Sequence, residues 1–318
     1  MRRSILLCAL LLAGAGNAFA DDYPTHPIRL IVPFAPGGAV DPIARLISSP
    51  LGERLGKPIV IFDRGGAGGS IGMDEVAKSP ADGYTLLLDH SGMTYMPGLY
   101  RTLPFDPVKD FDGVITAVAG FYVLAVYNDL PVKSVAELVA YAKANPGKLS
   151  YGSAGIGSTL HLAGELFKRA AGVDMVHVPY KGAAPAATDL AGGQIPLMFG
   201  PATALLPLAQ AGKIRALAVT SPKRSALAPD LPTMTETLPG FEVVGWYGLA
   251  APAGTPKDVI GKLNGETNSV LQSPDLVAKM RELSYEPIGG TPEEATGRIK
   301  ADVARWTKAI HDAGIEPQ

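Results

Sequence analysis

The chain has one cysteine in 318 residues, Cys8, inside an apolar run near the N-terminus. That excludes a disulfide-stapled scaffold and a zinc site built on thiolates. The five histidines (His26, His90, His161, His177 and His311) contain no H-x-x-x-H pair, so no metal is expected. Basic blocks are absent as well. With 28 Lys and Arg against 30 Asp and Glu, the formal charge is −2, which lacks the cationic footprint of a nucleic-acid binder. Nucleotide signatures are missing: Gly152-x-x-Gly155-x-Gly157 is not G-x-G-x-x-G, and no G-x-x-x-x-G-K-[ST] occurs. No cofactor is expected. No apolar run reaches the roughly 18 residues of a membrane span; Val114 to Tyr127 contains Thr116 and Gly120 and reads as buried strand. No repeat with a period of 20 to 50 residues points to a solenoid.

What is present fits a compact α/β protein. Hydrophobic residues make up 47% and charged ones 18%, mean hydropathy is +0.17, and the length suggests two domains. Arg2 and Arg3, the apolar stretch Ile5 to Ala13 and Ala18-Phe19-Ala20 read as a secretory signal peptide over residues 1–20, with cleavage before Asp21. Cys8 follows Leu7, not a small residue, so a lipid anchor is not expected. The mature chain then has no cysteine, 26 basic and 30 acidic side chains and a charge of −4, which suits a periplasmic protein held by its core.

Short β-rich runs, Ile28 to Val32, Ile59 to Phe62 and Thr85 to Leu88, alternate with helical patterns, as in α/β units. Ser134 with Glu137 and Thr291 with Glu294 form capping boxes, the second followed by Pro292 at the first helical position. Beyond it Ala295, Ile299, Val303, Trp306 and Ile310 recur at spacings of three and four, and Gly314 closes an amphipathic helix.

Two segments share one plan, in which a strand runs into a glycine-bearing loop that opens a helix. The first is Leu30-Ile31-Val32, then Pro33 to Val40, with Asp41 as N-cap and Pro42 next. The second is Leu149-Ser150-Tyr151, then Gly152 to Gly157, with Ser158 as N-cap. Glycines let backbone N–H groups turn into a concavity, and a helix N-terminus adds donors and positive potential. Each loop is an anion cradle or an ordinary strand-to-helix turn; two of them favour a ligand held between domains. Gly68-Gly69-Ser70-Ile71-Gly72 matches G-x-S-x-G, but Ser70 lies well beyond the strand Ile59 to Phe62, where a nucleophile elbow would not place it. A secreted serine esterase using Ser70 is the alternative from another class. His161 and Glu165, one helical turn apart, read as a surface pair.

Val32-Pro33-Phe34-Ala35-Pro36-Gly37-Gly38-Ala39-Val40-Asp41 resembles the opening loop of the Bug-type receptors, the solute-binding proteins of tripartite tricarboxylate transporters. Further blocks resemble that family in order: Ala81 to Leu87, Tyr151 to Leu162, His177 to Gly182, Ala216 to Thr220, Leu231-Pro232-Thr233 and Ala251 to Pro256. The resemblance implies a two-lobed periplasmic binding protein of type II, Venus-flytrap architecture, with the ligand cleft between the lobes. It also implies capture of a small carboxylate for membrane permease subunits, without catalysis. The lobes would be 21–122 plus 221–318 and 123–220, in a monomer. By the same resemblance the carboxylate is held by backbone amides and hydroxyls: Ala35, Pro36, Gly37, Gly38, Ala39 and Asp41 match the first loop, and Ser153, Gly155, Gly157, Ser158, Thr159 and His161 the second. Asp41 also reads as a simple cap, and His161 as a residue that orients the loop. Asp89-His90-Ser91-Gly92, Met96-Pro97 and Arg64-Gly65-Gly66 depart from the family pattern. His90 and Ser91 are expected on the first-lobe wall, so a ligand known for the family does not transfer directly; His90 reads equally as a solvated or core-satisfied histidine. A role in presenting ligand to a regulatory partner would use the same cleft.

Overall fold

The structure is a computed structural model and describes residues 23–36, 40–225, 228–283, 285–312 and 314–317. The first elements are β1 (Ile28–Val32), α1 (Val40–Leu55), β2 (Ile59–Asp63), α2 (Ser70–Ala77), β3 (Thr85–His90) and the short α3 (Met96–Leu99). The long β4 (Phe111–Tyr127) leads to α4 (Val135–Ala144), β5 (Ser150–Ser153), α5 (Thr159–Ala171), β6 (Val176–Pro179), α6 (Ala183–Ala191), β7 (Leu197–Pro201), α7 (Ala202–Gln210) and β8 (Ile214–Val219). Then come β9 (Val244–Pro252), α8 (Lys257–Leu271), α9 (Pro274–Glu282), β10 (Tyr285–Pro287) and α10 (Pro292–Asp312). The proposed signal peptide lies outside the described residues. Among the described residues no helix is long and apolar enough to cross a membrane.

Strand β4 ties two sheets together. Its residues from Phe111 to Phe121 pair antiparallel with β9, while Tyr122 to Tyr127 pair antiparallel with β7 and β8. Register shifts after Gly113 and after Thr116 insert extra residues, and such bulges bend and twist a strand. On one side β2, β1 and β3 run parallel and β9 closes against β4; on the other β6, β5 and β7 run parallel. The buried parallel strands are rich in Ile, Val and Leu, as sheets covered on both faces require. The result is a mixed α/β protein of two lobes.

The return after β8 is stitched to the outward crossing. Thr220, fully buried, donates its hydroxyl to the Val243 carbonyl at 2.6 Å and accepts the Tyr122 amide at 3.1 Å, while its own amide donates to the Tyr122 carbonyl at 2.9 Å. Partner exchange thus falls at Tyr122 and Thr220.

Helix signals in the sequence have clear counterparts. Thr291 and Glu294 form the reciprocal capping box, each side chain accepting the other's amide, and Trp306 and Ile310 of α10 are buried. Ser134 caps α4 by accepting the Glu137 amide, but the Glu137 carboxylate reaches the Lys133 amide instead of the cap's own. Helix α1 differs from expectation. It begins at Val40, so Asp41 is not its cap but sits in its first turn, where its charge meets the helix dipole and pairs with Arg45 at 2.9 Å.

Candidate functional site

The two strand–loop–helix units converge. β1 ends at Val32 and α1 starts at Val40; β5 ends at Ser153 and α5 starts at Thr159. Val40, Ser158, Thr159 and Leu160, at the starts of both helices, line one narrow cleft whose cavity is about 30 Å³. Phe34 and His90 complete the first-lobe wall, and Ala154, Ala183 and Pro201 the second. Tyr122 and Tyr247 stand where the lobes meet, their hydroxyls 3.3 Å apart. Among the described residues no Lys, Arg, Asp or Glu lines this cavity.

Local hydrogen bonding decides which donors of the second loop are available. Gly155 donates its amide to Ser153 Oγ at 3.0 Å, and Gly157 donates to His161 Nδ1 at 3.4 Å. Ser158 accepts the His161 amide at 3.2 Å as a helix cap. The amides of Thr159 and Leu160 occupy the first two helical positions, which have no intrahelical acceptor. They belong to residues that line the cleft, so the anion-attracting end of α5 is its first turn, with the glycines shaping the loop behind it.

The expected site residues that the structure describes can be placed. His90, Ser158 and Thr159 line the cleft. Ser91 is buried beside them, close to the Tyr95 and Tyr122 hydroxyls. Ser153 is used internally, its hydroxyl 2.6 Å from His177 Nε2. His161 is buried behind the loop, stacked on His177 with ring centroids 4.2 Å apart. It orients Gly157. The reading of His161 and Glu165 as a surface pair is corrected: His161 is 1% exposed, and Glu165 accepts from the Tyr151 hydroxyl and Lys168 instead. Both imidazoles are held neutral by burial, His161 down at about 4 and His177 at about 3. Ala35 donates its amide to the Lys181 carbonyl at 3.4 Å, and Pro36 is exposed. Gly37, Gly38 and Ala39 lie outside the described residues.

Ser70 opens α2 after the turn Ala67–Gly69, and among the described residues no hydrogen bond joins it to a histidine, so the elbow geometry is missing. No group of His, Cys, Asp or Glu among the described residues could hold a metal ion. Phe34, Val40, Ala154 and Leu160 lie within the two loop segments but were not among the expected contacts, and Tyr122, Tyr247, Ala183 and Pro201, outside both loops, were not foreseen as lining residues. Ala183 follows the block ending Tyr180-Lys181-Gly182, which was a usable signal. Tyr247 reaches the site only through its register opposite His90 in the β3–β9 pair, which no local pattern reveals.

Two α/β lobes joined by paired crossings, with helix starts facing a shared cleft, define a solute-binding protein. Residues 43–315 match the family described as tripartite tricarboxylate transporter family receptor, TctC, and the chain belongs to it. It is 37% identical over 322 residues to the protein BugT of Bordetella pertussis, covering 99% of each chain. Among solved structures it is similar to Rpa4515 of R. palustris with adipate, at TM-score 0.89 and 42% identity, over 93% of this chain and 100% of that one. It is likewise similar to MatC of Rhodopseudomonas palustris with bound malate, at TM-score 0.85 and 31% identity, covering 91% and 100%. The matched family is one of receptors.

Proposed function

We propose that this receptor captures a small carboxylate between its lobes and delivers it to the membrane permease subunits of a tripartite tricarboxylate-type transporter. The observation that carries this reading is the convergence of the α1 and α5 N-termini on one uncharged cleft, where backbone donors and dipoles substitute for a basic side chain. Adipate and malate in the related structures support the ligand class. The protein acts in the periplasm as a monomer after export through residues 1–20, and it performs no turnover. Its lobes are 21–122 with 221–318, and 123–220; the exchange of strand partners at Tyr122 and Thr220 supports that division. Both loops, with His90 and Ser91, form the binding site.

A thermal-shift panel of carboxylic acids beside a chromogenic-ester screen tests this. An acid at 100 times its dissociation constant adds about 2.7 kcal/mol of stability, a readily measured melting shift. Ester turnover lost in Ser70→Ala, or no acid that shifts melting, would overturn it.

A further inference from the structure

His90 closes β3 and is 3% exposed. The Gly92 amide donates to its Nδ1 at 2.9 Å, so Nδ1 carries no proton and Nε2–H is a fixed donor. Burial with no counter-charge keeps the ring neutral, with its pKa down at about 3. Packing fixes its plane: the Phe34 ring lies 4.8 Å away, and a Cβ on Gly69 would stand 3.4 Å from Nε2. Nε2 has no hydrogen-bond partner among the described residues, although His90 lines the cleft. Buried donors in native proteins are almost always paired, so this one points to a function.

Its surroundings narrow the chemistry. Ser91 Oγ and the Tyr95 hydroxyl, also buried, face each other and add hydroxyls to this wall. Tyr247 pairs with His90 across the sheet, and its hydroxyl meets that of Tyr122. Among the described residues the lining of the cleft therefore offers neutral N–H and O–H groups and neither a carboxylate nor a cation. A hydrocarbon tail would leave the imidazole donor unpaired, and an ammonium would face another donor with no anion to balance it.

We propose that His90 is a specificity-determining residue whose Nε2–H reads an oxygen on the ligand other than those of the carboxylate at the helix starts. The receptor then prefers dicarboxylates and hydroxy- or oxo-carboxylates over acids with a plain hydrocarbon or amino-bearing tail. This rests on the receptor reading above and names the ligand class within it.

Calorimetry with matched acids tests it: succinate and butyrate, adipate and hexanoate, 4-hydroxybenzoate and benzoate, with wild type, His90→Leu and His90→Gln. In at least one pair the oxygen-bearing acid is expected to bind at least tenfold more tightly to wild type. His90→Leu should remove that preference by weakening the oxygen-bearing acid at least tenfold more than its partner, and His90→Gln, which returns an N–H near Nε2, should restore most of it. In histidine-labelled wild type the His90 Nε2–H resonance should move with the tighter acid. Equal binding within every pair, equal weakening of both members in His90→Leu, or an unmoved resonance would overturn the proposal. If no acid binds wild type, the carboxylate reading itself falls and takes this one with it, an outcome distinct from the other three.

Discussion

The Tyr100 hydroxyl lies 2.7 Å from the Ile156 carbonyl of the second lobe and 2.8 Å from the Ala67 carbonyl of the first. One phenolic proton serves both acceptors, so a single side chain bridges the seam where the lobes touch. Nearby, Leu162 and Leu166 of α5 pack with Tyr95, Leu99, Trp306 and Ile310. Contacts of this kind exist only when the lobes are together, so they bias the open–closed balance without touching ligand.

Tyr100→Phe removes the bridge and keeps the ring. A hydrogen bond of this kind contributes about 0.5–1.5 kcal/mol net, so calorimetry should show affinity weakened about two- to tenfold. Small-angle scattering at subsaturating ligand should show a larger radius of gyration than wild type. Unchanged affinity would mean that the bridge forms equally in both arrangements.

Gly68 and Gly157 probe the same seam from its two sides. A Cβ on Gly68 (φ +65°) would stand 1.9 Å from the Ile156 carbonyl oxygen, and one on Gly157 (φ +79°) would stand 2.2 Å from the Tyr100 ring. Neither clash involves the cleft. Alanine at positive φ by itself costs on the order of 1 kcal/mol, and the clash adds to that unless the seam opens, so circular dichroism is to show each variant folded before affinities are compared. Gly68→Ala meets rigid backbone and should lose at least tenfold in affinity, whereas Gly157→Ala should be partly rescued by adding Tyr100→Ala. Wild-type affinity in Gly68→Ala would remove the seam from the binding mechanism.

Charge neutralisation should matter little. Arg64 is exposed and spends its guanidinium on Glu75 at 2.9 Å, and Lys181 contributes its carbonyl, not its ammonium, to the interlobe contact with Ala35. Calorimetry on Arg64→Ala and Lys181→Ala is expected to show a loss below about 1 kcal/mol, the range of exposed ion pairs. A loss above about 3 kcal/mol in either folded variant would indicate a direct ion pair with ligand.

How far the sequence discloses this site depends on how local each determinant is. Ser158 as the α5 cap, the capping box at Thr291 and the strand Val114 to Tyr127 follow from neighbouring residues, and all three are seen. The available amides at Thr159 and Leu160 were hidden behind the more visible glycines, because only the bonds from Gly155 to Ser153 and from Gly157 to His161 reveal which donors are occupied. Tyr100 and Tyr247 were illegible for another reason. Their roles come from contacts with Ile156 and with His90 on distant elements, and neither spacing nor composition carries such long-range register.

The buried titratable groups give stability opposing slopes over overlapping pH windows. His90, His161 and His177 have folded-state pKa values depressed to between about 3 and 4 against an unfolded value near 6.5, so the unfolded chain binds more protons in that interval. Their contribution is complete above about pH 6.5 and is lost as pH falls. Asp89 is the reverse. Its carboxyl is 2% exposed, and burial raises its pKa to about 8 from an unfolded value near 3.9. The folded chain therefore binds the extra proton between about pH 4 and 8, and stability declines as pH rises through that window. Asp89→Asn keeps the shape and cannot ionise, so its melting temperature relative to wild type should rise from pH 4 to pH 8 and level off above. Thermal melts of both proteins across that range decide the matter, because the histidine contribution cancels in the difference. A difference independent of pH would mean that the Asp89 carboxyl is ionised in the folded protein, with a partner that stabilises its charge.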